Sequence, residues 1–293
     1  MAFESRIKNI KNQGENMVLH ENELKSILKD IKNGRKIEQQ EEQVQLIQSM
    51  IIHIGSLDSE LRDELIYGTF YEWILEKNLL NHTLLTELLN ECINHLLYKG
   101  IEENESDLVF TRSFTSLLIG LILNRDNQDD FLSAEIIAEV KEKLVAYLLD
   151  ERDVRGFVLV KGWAHSVAHM ADAIDALVKN PKLSRVFYVE IVNALWNTII
   201  FQANHAFIHD EDERLLVPIF SMLELGLQKQ KMIKLLQQIP IILAERQAQL
   251  DEQHYRILLF NCKTFLKSFY IQTSCKPQNT VLHKSIDACL DAL

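Results

Sequence analysis

The stretch SELRDELIYGTFYEWIL, residues 59–75, sets the reading of the fold. Its apolar residues Leu61, Leu65, Tyr67, Phe70 and Ile74 recur at helical rather than alternating spacing. Asp58 or Ser59 stands where a helix cap belongs. The same opening, a short polar cap, an arginine and then an apolar helix, returns at residues 107–112, 152–155, 211–214 and 251–256. From Arg62 through Arg112, Arg155 and Arg214 to Arg256, the arginines lie 50, 43, 59 and 42 residues apart. Each interval has room for two helices, and a second helix is readable at 84–98, 133–149, 184–201 and 231–247. Recurrence in this range predicts an all-α protein, an α-solenoid (α-α superhelix) of antiparallel helix pairs of HEAT or armadillo type with irregular repeats.

Upstream, helices are expected from about His20 to Lys32, stopping at Asn33-Gly34, and over residues 38–53. Residues 1–18 read as a weakly ordered tail and 19–293 as one helical-repeat domain. Nine glycines and four prolines are too few for a strand-and-turn architecture of 293 residues. The two β-branched runs, 51–54 and 155–160, sit in helix-period context and are read as helical.

Charge narrows the partners. The net balance of −11 is uneven, because residues 1–36 are mildly basic while the other 257 hold 23 basic against 37 acidic residues. An acidic body without a basic stripe argues against nucleic acid. Cys92, Cys262, Cys275 and Cys289 lie far apart with no C-x-x-C pair, which argues against a thiolate zinc site or a redox motif. Reduced thiols and no signal-like N-terminus suggest a cytoplasmic protein. The apolar run 116–123 is too short for a membrane span and suits a buried helix. Neither G-x-x-x-x-G-K-[ST], G-x-G-x-x-G nor G-x-S-x-G occurs, so nucleotide chemistry and serine nucleophiles rank low.

The segment DVRGFVLVKGWAHSVAHMADAIDALVK, residues 153–179, is where chemistry is expected. Placed on one helix, Val160, Trp163, Val167, Met170, Ile174 and Leu177 form a core side, and Lys161, His165, His169 and Asp172 a polar stripe flanked by alanines. Two imidazoles one turn apart with a carboxylate three residues on make His165, His169 and Asp172 a candidate divalent-metal set. The bland alternative is a pair of buried histidines satisfied by carbonyls or by Asp172. A second candidate set is His205, His209 and Glu213, from a run (210–213) that also suits a helix N-terminus. Arg112, Arg155 and Arg214 read as tethers between repeats, and with Lys161 and Trp163 as the border of a polar groove. Trp73, Trp163 and Trp196 read as core.

Lys161-Gly162-Trp163-x-His165-x3-His169-x2-Asp172, preceded by Arg155-Gly156, resembles the signature of a bacterial family known only as domain of unknown function 2785. Residues 111–114 and 211–215 are similar to it as well, with Met170 standing where Gly is expected. The resemblance implies a helical-repeat fold in a bacterial cytoplasm and no established activity. Together these observations lead to two expectations. One is a protein-interaction scaffold without a cofactor; the other is a metal-dependent or acid/base enzyme working from the Lys/His/His/Asp face.

Overall fold

The computed structural model describes residues 18–37, 39–103, 105–274 and 279–293. Most of the tail expected at residues 1–18 lies outside the described residues, as does Cys275. Among the described residues, twelve helices and one small hairpin follow in order. Helix α1 is Glu21–Lys32 and α2 is Gln40–Ile52. The run that opened the analysis is α3, a π segment Glu60–Tyr67, an α turn Gly68–Tyr71 and a second π segment Glu72–Glu76. The Asp58 carboxylate accepts the Leu61 amide at its start, as a cap does. Helix α4 is His82–Glu91 and runs on into a π segment, Cys92–Leu96. Helix α5 is Leu108–Asp129 and α6 is Ala134–Asp150.

Strands β1 (Phe157–Val158) and β2 (Gly162–Trp163) form an antiparallel hairpin, with Phe157 opposite Trp163 and Val158 opposite Gly162. Helix α7 is Ser166–Val178, and α8 is Tyr188–Ile200 after a 3-10 turn at Arg185–Phe187. Then come α9 (Glu211–Glu224), α10 (Lys229–Gln247), α11 (Glu252–Ser274) and α12 (Thr280–Asp291).

Packing runs between alternate helices. In one row α5 packs on α7, α7 on α9 and α9 on α11; in the other α6 packs on α8, α8 on α10 and α10 on α12. Apolar faces buried between the rows make one continuous core that includes Trp73 and Trp196. Helix α5 is apolar and buried nearly all round, and two of its buried hydroxyls bond their own helix, Thr115 to the Thr111 carbonyl and Ser116 to that of Ser113. A Cβ on Gly120 would meet Ala173 at 3.4 Å, so the small residues of α7 let these two helices approach closely. By length and hydropathy α5 alone among the described helices matches a membrane span, and 89% of that window is buried inside the fold, as in a core helix.

One expectation fails. Residues 153–179 are not a single helix: α7 begins only at Ser166, and the preceding residues form the hairpin. The reading of 155–160 as helical fails with it. The cause is local backbone chemistry reinforced at long range. Gly162 adopts φ +80°, and a Cβ there would lie 2.7 Å from Ser59 Cβ. The Asp153 carboxylate accepts the Arg155 amide, and the Ser166 hydroxyl donates back to the Asp153 carbonyl. Of the expected stripe, therefore, only His169 and Asp172 lie on a helix, with His165 before its first turn and Lys161 in the hairpin. Val167, Met170, Ile174 and Leu177 are core as expected, but Val160 is 89% exposed and Trp163 is 39% exposed.

Candidate metal centre

His165 is the residue before α7 and takes a left-handed conformation, φ +48°. Its amide donates to the Arg155 carbonyl at 3.0 Å, while Ala164 donates to that of Gly156 at 2.8 Å. The base of the hairpin thus hands the chain to the helix at a fixed angle. Asp210, the residue before α9, is left-handed as well, φ +66°. Two non-glycine residues in this costly region, each at the mouth of a helix, mark a site worth building upon.

Their neighbours meet. His165 Nε2 lies 3.5 Å from Glu211 Oε1, and His209 Nδ1 lies 3.9 Å from the same oxygen. All three atoms fall within 4.8 Å of one another. Each is buried, and none has a hydrogen-bond partner among the described residues. Two donors bound at about 2.1 Å to one tetrahedral ion sit roughly 3.4 Å apart, so these separations are close to those of a coordination sphere. Glu211 Oε2 is occupied by the His209 amide at 2.9 Å, which fixes the carboxylate with Oε1 facing the imidazoles. Gly156 closes the inner side. A Cβ there would overlap His209 Nδ1 and come 2.6 Å from Glu211 Oε1.

The electrostatics suit ligation. Burial, aided by the Arg214 and His209 charges, holds the His165 imidazole down to about 4, with the His209 backbone and Asp210 acting the other way. It is therefore neutral at pH 7, with a lone pair to give. Burial also pushes the Glu211 carboxyl above its ordinary range. Three other buried acids have cations, Glu151 with Arg112 at 2.7 Å, Asp153 with Arg155 and Asp126 with Lys182 at 2.8 Å, whereas buried Asp212 accepts from the Ser268 hydroxyl. Glu211, 1% exposed, has no Arg or Lys partner among the described residues, and the His165 and His209 imidazoles face its Oε1.

Trp163 covers one side. Its indole stacks on His165 at 4.4 Å and meets His209 edge-on at 5.2 Å. The other residues singled out from sequence are engaged elsewhere. His169 is buried beside His165, with Nδ1 2.7 Å from Ser113 Oγ. Since Ser113 donates to the Ala164 carbonyl, its oxygen is left to accept from His169 Nδ1–H. Asp172 is bridged by Arg214, whose Nε lies 2.9 Å from Oδ1. Lys161 pairs with Asp107 at 2.7 Å. Arg214 ties α9 to Asp172 of the preceding helix pair, whereas Arg112 holds Glu151 at the end of its own pair and Arg155 pairs locally with Asp153 and reaches the Ser106 carbonyl at 2.9 Å. His205 bonds Glu105 at 3.1 Å, and Glu213 is exposed in the first turn of α9.

The cluster thus draws one histidine from each sequence-derived set, His165 and His209, and adds Glu211, which neither contained. Nothing in the acidic run 210–213 tells which carboxylate turns inward. The H-x-E spacing at His209 and Glu211 was the only available hint.

Comparison with known proteins finds no matching curated protein and no matching solved structure. A family model does match, described as protein of unknown function (DUF2785), over residues 97–271, a span that contains the hairpin and all three clustered residues. The chain belongs to the DUF2785 family.

Proposed function

We propose that this protein binds one divalent transition-metal ion, zinc by donor type, through His165 Nε2, His209 Nδ1 and Glu211 Oε1. The observation that carries this is the convergence of three buried, unpartnered ligand atoms on one point. Leaving them bare costs roughly 1–3 kcal/mol per neutral group, and more for the carboxylate. A cation offsets all three penalties at once.

Three protein ligands would leave a fourth position, and the partial exposure of His209 and Trp163 beside them supports an approach from solvent. Two histidines, one glutamate and an open position form the ligand pattern of zinc enzymes rather than of closed structural sites. The supported activity is metal-assisted hydrolysis or lyase-type chemistry: held by His165, His209 and Glu211, the ion would lower the pKa of a water to about 7 and polarise a substrate oxygen. In the cobalt(II)-loaded protein, visible d–d absorption of tetrahedral intensity is expected, and it should disappear in His209→Ala. A colourless protein after cobalt addition sinks the reading.

A second reading, a protein-interaction scaffold, is favoured by the hairpin tip, where Leu159 is 82% exposed beside Val160. It is the reading left standing if no metal binds. The alternate-row packing supports an α-solenoid under either reading, and the buried free thiols of Cys92, Cys262 and Cys289 support a reducing, cytoplasmic setting.

A further inference from the structure

The protein treats its three tryptophans unequally. Trp73 and Trp196 are core residues, while Trp163 is left at the surface although its indole sits on the candidate metal centre. Phe157, half exposed, meets the Trp163 ring edge-on at 5.0 Å. The two rings form an aromatic rim beside the candidate ligands His165 and His209.

This rim is held rigidly. Arg62, fully buried, donates to the Lys161 carbonyl at 2.8 Å and lies 3.4 Å from that of Trp163. Its guanidinium is anchored over the Phe110 and Phe114 rings at 4.3 and 4.8 Å and donates to the Ser56 carbonyl at 2.6 Å. At the hairpin turn Val160 takes φ +71°, a strained conformation for a β-branched residue, and gains no burial from it. The fold therefore supports an exposed indole beside the ligands with a buried cation and a strained turn. A core role for Trp163 accounts for none of these.

Resting on the metal reading above, we infer that Trp163, with Phe157, determines specificity. The ligand of the centre presents an oxygen donor to the ion and carries a flat aromatic group, next to that donor, which lies against the indole. The indole centre is 4.4 Å from the His165 ring and 5.2 Å from that of His209. A group one or two bonds from a metal-bound oxygen thus falls within stacking distance.

The test uses the full chain loaded with zinc, its metal content measured first, and two probes that share a metal-binding head, benzohydroxamate and acetohydroxamate. Benzohydroxamate is expected to bind about tenfold more tightly, which is the scale of one aromatic contact with its buried area. In Trp163→Ala the ratio falls toward one, and in Trp163→Phe much of it returns, with circular dichroism checking the fold of each. An unchanged ratio in Trp163→Ala, or no preference in the parent protein, overturns the inference while leaving the metal site intact. Absence of zinc from the parent overturns both, and the metal measurement tells the two failures apart.

Discussion

Glu211 Oε1 faces His165 Nε2 at 3.5 Å, too long for a hydrogen bond, and neither atom has a hydrogen-bond partner among the described residues. The two residues are 46 positions apart, yet each belongs to the first turn or cap of a helix, α7 or α9, and those helices pack together. A centre built on two packed helix starts inherits the rigidity of the core beneath it.

Gly156 tests the tightness of that centre. Gly156→Ala places a methyl group on His209 Nδ1 and against Glu211 Oε1. The expected result is a loss of stability of about 1–3 kcal/mol, the usual scale of overpacking, with metal affinity abolished. Urea denaturation and calorimetric titration read the two effects separately. Unaltered metal binding would show that the inner wall lies elsewhere.

Acid should weaken the metal-free fold through its histidines. His165 is held down to about 4 against about 6.5 when unfolded, and burial drives His169 well below its ordinary value. A depressed folded pKa gives stability that is complete above about 6.5 and is lost as the pH falls toward 4. Glu211, raised by burial, acts in the opposite sense over the acid range. Urea midpoints in chelator should therefore fall from pH 7.5 to pH 5, and less steeply in His169→Gln. Parallel slopes for the two proteins would contradict the assignment.

Arg112 is a structural counterpart outside the centre. Its guanidinium holds Glu151 with two bonds of 2.7 and 2.9 Å and donates to the Lys99 and Gly100 carbonyls, while Tyr147 donates to the same carboxylate. Arg112→Ala strands a buried carboxylate, and a cost of about 3–5 kcal/mol is expected by denaturant unfolding. A cost below about 1 kcal/mol would show that the network is dispensable.

Arg62 should act on the site without touching it. Arg62→Ala removes the donor that fixes the carbonyls of Lys161 and Trp163. Faster amide exchange across residues 157–163 is expected, with metal affinity lowered about tenfold or more, the scale of losing an outer support. Exchange unchanged in the hairpin would remove Arg62 from the account.

The helices were legible because their signals are local. Leu61, Leu65, Phe70 and Ile74 define a buried face, and Asn33-Gly34 and Asp58 mark ends and starts that the structure keeps. The hairpin was not. RGFVLVKGW fits a helix as well as a strand by hydrophobic spacing, and what decides is the contact of Gly162 with Ser59 and Arg62, a hundred residues away in sequence. For the same reason His165 and His169, read as one stripe, take different roles: one stands before the helix with its Nε2 toward Glu211, and the other is bonded by Ser113. Glu211 is buried and Glu213 exposed, just after a left-handed Asp210, a backbone arrangement that no side-chain pattern announces.

Zinc stoichiometry bears most directly on the centre. Chelator-stripped protein is titrated with zinc by calorimetry, beside His209→Ala and Glu211→Gln, with elemental analysis of each. One equivalent bound by the parent and none held by either variant, at unchanged helical content, is the predicted result. No zinc bound by the parent, or full occupancy in both variants, contradicts the proposal that His165, His209 and Glu211 form a metal centre.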